Sequence, residues 1–173
     1  MRLLTLTTAI LLLATACGGG EPKEPATTAP AEITVTSTAF REGGAIPSKY
    51  TCDGIGAAPP LAWTGTPSDA KAIALVVDDP DAPNGTFTHW IVLDLPPTTT
   101  VLTEVDHQAN NSEGKPEYTP FCPPSGTHHY RFNVYALSQA TNLADGSSLD
   151  EALKAIDSTT IARGRLTGVY RRQ

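Results

Sequence analysis

The chain has 173 residues, of which 40% are hydrophobic and 17% charged, and it carries a formal charge of -6. That acidic balance, with no run of Lys or Arg, excludes a nucleic-acid-binding surface, and the length bounds the chain to about one domain. No self-similarity appears at the periods of solenoids or propellers.

At the start, Arg2 precedes an apolar stretch over 3–13, and Ala14-Thr15-Ala16 places small residues directly before Cys17. The stretch is too short to span a membrane and has the flanks of a secretory signal peptide, 1–16. With cysteine at the cleavage point it resembles the bacterial lipobox, although Ala14 stands where Leu is usual and Leu13 lies one place back. The resemblance implies an acylated Cys17 and a chain held on the extracytoplasmic face of the cell membrane. An ordinary secreted protein with a stray cysteine is the alternative. Residues 17–31 are rich in Pro, Gly and Thr and cannot bury enough apolar surface to order themselves, so they read as a disordered tether.

The remaining 32–173 read as one β-rich domain. Residues 33–40 are rich in Val, Ile and Thr and predict a strand. The continuous apolar run 73–77 suits a buried central strand. In 88–94, alternation sets His89, Ile91 and Leu93 on one face and Trp90 and Val92 on the other. In 128–137 it sets His128, Tyr130, Phe132, Val134 and Ala136 on one face, opposite His129, Arg131, Asn133 and Tyr135. Ser148 and Glu151 form a capping-box pattern that opens a helix over 148–157, with Leu149, Ala152, Leu153 and Ile156 as its stripe. Residues 166–170 predict a closing strand.

This pattern locates a site. His128 and Tyr130 head a row that runs into the core, and His89 heads another ending in Ile91 and Leu93, as at the rim of a pocket. Between the two strands lies Asp78-Asp79-Pro80-Asp81-Ala82-Pro83. Three carboxylates so close repel one another and hold water, so they are expected outside the core. They read either as a proline-stiffened turn or as an acidic wall that orients imidazoles. In an oxidising compartment Cys52 and Cys122 most simply pair, and a catalytic thiol at Cys122 near His128 is the alternative.

Asp79-Pro80-Asp81-Ala82-Pro83 with His89-Trp90, and Cys122-Pro123-Pro124-Ser125-Gly126-Thr127-His128-His129-Tyr130, resemble the two signature blocks of the phosphatidylethanolamine-binding protein family, in its bacterial Raf kinase inhibitor-like branch. Pro47, Tyr50-Thr51-Cys52-Asp53-Gly54, Pro59-Pro60-Leu61 with Trp63, and Gly168-Val169-Tyr170 extend the likeness over nearly the whole domain. The resemblance implies an antiparallel β-sandwich with peripheral helices and a small pocket for anions such as phosphate, acetate or a phosphoethanolamine head group. By motif position the ligand-binding residues are Asp79, Asp81, His89, Pro123, His128 and Tyr130. Backbone N–H groups near Gly126 are expected to add donors for the anion. The middle residue of the usual His-Arg-Tyr is here His129, with Arg131 as a possible substitute, and Pro120-Phe121 replaces a Gly-Pro pair.

Recognition rather than turnover is the expected chemistry, with no cofactor. A hydrolase using Ser125 and His128 lacks the Gly-x-Ser-x-Gly elbow. A metal bound by His89, His128 and Asp79 is a further alternative. So is inhibition of an extracytoplasmic protease or kinase-type signalling protein through protein contacts.

Overall fold

The computed structural model describes residues 31–103 and 105–172, so the expectations for the signal peptide, Cys17 and most of the tether lie outside it. In chain order the elements are β1 (Ala31–Glu32), β2 (Thr34–Thr36), β3 (Gly44–Ala45), β4 (Ala62–Thr64), β5 (Ala72–Asp79), β6 (Phe87–Leu95), β7 (Gln108–Ala109), β8 (Thr127–Leu137), α1 (Leu149–Thr159) and β9 (Thr160–Arg171). A seven-stranded sheet runs β1-β9-β8-β5-β6-β7, with β3 also on β9, and β2 and β4 form a separate two-stranded sheet. The long ladders are antiparallel, whereas β1 and β3 lie parallel to β9.

β5 has every residue buried, as its unbroken apolar run requires of a strand covered on both faces. On the first face Ile73, Leu75, Val77, Phe132, Val134 and Leu166 pack against Val35 and Trp63 of the small sheet. On the second, Ala74, Val76, Ile91 and Leu93 pack against Ala152 and Ile156 of α1. That helix starts where expected, because Ser148 and Glu151 cap one another's backbone in a full capping box.

The predicted strand 33–40 is split. The Ile33 N–H bonds the Arg163 carbonyl on the large sheet, whereas Thr34–Thr36 pair with β4, so the chain crosses between sheets there. Only glycine fits at 164, where an added Cβ would lie 1.8 Å from the Ile33 carbonyl oxygen. Ser37 then ends β2, its hydroxyl accepting from the Ala39 N–H and donating to the Pro60 carbonyl. Such local side-chain capture competes with a ladder.

At its outer edge β9 accepts the Gly43 and Ile46 N–H groups on Thr167 and Val169, and the Thr167 N–H is taken by the Glu42 carboxylate at 2.8 Å. Cys52 and Cys122 form a disulfide with Cα atoms 5.3 Å apart, closing a loop of 70 residues. In the chain-entropy model such a closure stabilises the fold by about 4 kcal/mol.

Candidate functional site

The acidic segment does not lie wholly outside the core. Asp78 and Asp79 are the last residues of β5 and are buried, leaving 9% and 4% exposed, while Asp81 is exposed. What offsets their desolvation comes from β8, about fifty residues away in the chain. On the first face, Asp79 Oδ2 accepts from His128 Nδ1 at 2.7 Å, and its Oδ1 accepts from the Asp81 N–H at 2.8 Å. On the second face, Asp78 pairs with the Arg131 guanidinium and accepts from Asn133 Nδ2. Alternation along β5 thus turns two neighbouring carboxylates into members of two separate networks.

The first network opens into a cavity of about 220 Å³. Asp79, His89, Glu113, Thr119, His128 and Tyr130 form its polar lining, and Pro83, Phe87, Pro120, Pro123 and Pro124 make an apolar collar. Tyr130 sits between the imidazoles, with ring centroids 5.5 Å from His89 and 6.4 Å from His128. Phe121 backs it at 4.0 Å. Cys122 also lines the cavity, so the disulfide pins one side of the mouth.

His89 is not on the face that alternation assigns it. In the β5–β6 ladder Val77 pairs with Trp90 and Asp78 with Thr88, so His89 is the extra residue of a bulge. The bulge turns its ring away from Ile91 and Leu93 and against Phe121, at 5.0 Å. There His89 Nδ1 lies 2.8 Å from the Thr119 carbonyl oxygen. That contact requires the proton on Nδ1, which leaves Nε2 as a lone pair in the neutral ring. Burial pushes the His89 pKa below its ordinary value, and the Thr119 carbonyl and Asp79 oppose this only in part. The Nδ1 of His128 is likewise committed, to Asp79, so its neutral ring also keeps a bare Nε2.

The Tyr130 hydroxyl is buried and has no hydrogen-bond partner among the described residues. Burial, followed by the charges of Asp79 and Asp81, raises its pKa, so it stays protonated. A buried hydroxyl without a partner costs about 1–3 kcal/mol.

The structure therefore gathers Asp79, His89, Pro123, His128 and Tyr130 around one cavity. Asp81 stands outside the lining and accepts from both the backbone and the ring of His129, which lowers its pKa. Gly126 is also outside it, in the turn before β8, where φ of +74° favours glycine. Ser125 is exposed and lies outside the cavity lining, whereas His128 is within it. Among the described residues no group of three His, Cys, Asp or Glu side chains is placed to hold a metal. The Thr119 carbonyl, Phe87 and Glu113 line or orient the site without having been foreseen. The first has no side-chain signal in the sequence at all.

Residues 36–171 match the family model described as "Phosphatidylethanolamine-binding protein". A UPF0098 protein of Methanothermobacter thermautotrophicus is 42% identical over 144 residues, covering 78% of this chain and 95% of that relative. A protein of Mycobacterium tuberculosis named as a candidate lipoprotein, LppC, is 37% identical, covering 88% of this chain and 86% of that one. The solved structure of CT736 from Chlamydia trachomatis, described as a candidate phosphatidylethanolamine-binding protein homologue, superposes with a TM-score of 0.78 at 36% identity. It covers 84% of this chain and 100% of that one, so the domain exists there as a free-standing fold.

Proposed function

The chain belongs to the phosphatidylethanolamine-binding protein family, and from that premise we propose that it binds a small phosphate-type or carboxylate anion in the proline-collared cavity, without turning it over. The Tyr130 hydroxyl carries this reading: fully buried, unpartnered among the described residues, and set between two imidazoles. A ligand oxygen at that point removes the cost of an unmade bond. The apolar collar suits a ligand with a small polar head and a less polar body, such as a phosphoethanolamine head group.

The proton positions add a condition. With both Nδ1 atoms committed, each imidazole in its neutral form has only a lone pair left on Nε2, and a lone pair repels an anion. The anion must bring a proton, as a monobasic phosphate can, or an imidazole must take one up on binding. Either route makes affinity rise as pH falls through the histidine range. Asp79 is an orienting group, since each of its oxygens already accepts a bond.

Calorimetric titration of the domain from residue 31 with phosphate and with phosphoethanolamine tests this. We expect affinity at least tenfold weaker in His128→Ala and increasing from about pH 8 to about pH 5. No heat with either ligand, or binding untouched by His128→Ala, overturns the anion reading. A flat pH profile overturns the proton condition alone.

The location we propose is the extracytoplasmic membrane surface, through acylated Cys17. The leader pattern and the name of the mycobacterial relative support it. No helix among the described residues is long and apolar enough to cross a membrane. The mature chain should carry acyl mass at its N-terminus, and an unmodified Cys17 would count against the anchor.

A further inference from the structure

We infer that the second face of the large sheet carries a separate phosphate-binding groove, built on Arg163 and Arg165 of β9. The groove encloses about 400 Å³ and is lined by Glu32, Asn133, Tyr135, Arg163, Gly164 and Arg165. Register makes it: Arg163 lies opposite Tyr135 and Arg165 opposite Asn133 in the β8–β9 ladder. Residues two apart on a strand share a face about 7 Å apart, so the two arginine side chains leave the sheet as neighbours on one face.

Its floor is fixed. Asn133 is buried, donates to Asp78 and to the Val76 carbonyl, and accepts from Arg165 Nε at 2.6 Å. Asp78 is in turn matched by Arg131. These contacts hold the Arg165 side chain by its Nε, and no described residue accepts a hydrogen bond from its two terminal amino groups. Arg163 forms no ion pair among the described residues. The Tyr135 hydroxyl makes no hydrogen bond there either, and burial raises its pKa, so it remains a donor. The same three arginines lie within electrostatic reach of it and pull that pKa the other way.

The charges facing the groove can be counted. Among the described residues Glu32 is the one carboxylate in its lining, Asp78 is spent on Arg131, and Glu42, which lies beside a more distant part of β9, is held by the Thr167 N–H. Two guanidiniums therefore face one carboxylate, a locally positive spot on a chain of charge -6. Guanidinium forks match phosphate oxygens bidentately, and a phenol beside them supplies a further donor. A phosphate group is thus the chemistry the groove fits, and it can come from a free phosphate compound or from an anionic lipid head group. β1, the first described element, forms one wall through Glu32, so a membrane tether leading into it would hold this groove near its lipid surface.

The test uses the domain from residue 31, its Arg163→Gln/Arg165→Gln variant and His128→Ala. Each is titrated with pyrophosphate and sedimented with phosphatidylcholine vesicles with and without phosphatidylglycerol. We expect at least one of these ligands to bind the double variant at least tenfold more weakly, while His128→Ala retains that binding. Loss confined to pyrophosphate assigns a soluble ligand, and loss confined to the phosphatidylglycerol vesicles assigns the lipid. The inference is overturned if neither ligand binds, or if all binding survives the double variant. Because the readout is taken in His128→Ala as well, failure of the proline-collared cavity and failure of this groove are distinguishable. Both arginines are exposed, and an unchanged unfolding midpoint checks the fold of the variant.

Discussion

Asp78 and Asp79 are neighbours on one strand, yet their surroundings differ in kind. Asp78 sits in a closed network, where Arg131 and Asn133 use its oxygens and Asn133 is itself bonded to Val76 and Arg165. Asp79 sits in an open one: it fixes His128, beside a buried hydroxyl on Tyr130 that nothing in the described protein satisfies. A buried polar network that is complete holds a fold, and one with a gap points to what is missing. The difference separates scaffold from site more sharply than burial does, since both acids are nearly as buried as the core.

Three measurements can break or sharpen this contrast. The largest effect is expected for Asp78→Ala, which strands Arg131 and Asn133 against a buried sheet face. It should lower unfolding stability by about 3 kcal/mol in a denaturant titration. A loss below about 1 kcal/mol would mean that solvent replaces the carboxylate and the network is not closed.

Tyr130→Phe is expected to act in the opposite direction. It deletes a hydroxyl that has no partner, so stability should hold or rise by about 1 kcal/mol while anion binding weakens. A clear loss of stability would show that the hydroxyl is already satisfied, and the gap at the open end would be illusory.

The smallest effect is in pH. Burial holds the folded-state pKa of His89 below the ordinary histidine value of about 6.5, so below that pH the unfolded chain binds more protons than the folded one. Stability of the ligand-free domain should therefore fall as pH drops below about 6.5, and saturating phosphate should offset the fall. His89→Gln should flatten this part of the profile in thermal melts, and a wild-type profile without the fall would place the His89 ring in water.

Much of this architecture was legible because it rests on local rules. The row from His128 to Ala136 follows simple alternation, the capping box of Ser148 and Glu151 begins the helix, and the two domain cysteines pair. The misreadings share one cause, which is that long-range partners outweigh local pattern. The acids of 78–79 look like a wet turn until β8 supplies Arg131 and His128. A single bulge moves His89 to the other face, and no composition signal marks it. Residues 33–40 read as one strand because the transfer between sheets at Ile33 depends on the distant Gly164. Of the candidate ligand residues, Asp81 and Gly126 lie outside the cavity lining.

The long strand β9 is the outermost long strand of the large sheet on one side, and left open it would be a template for joining one copy to the next. That border is already occupied. β1 and β3 lie along its two ends, the Arg163, Thr167 and Val169 carbonyls accept from the chain's own backbone, and Glu42 takes the Thr167 N–H. A neighbouring molecule finds no continuous row of free donors and acceptors to extend. For domains crowded side by side on a surface, where local concentration favours fibre-like stacking, the short strands that cover β9 work against pairing through it.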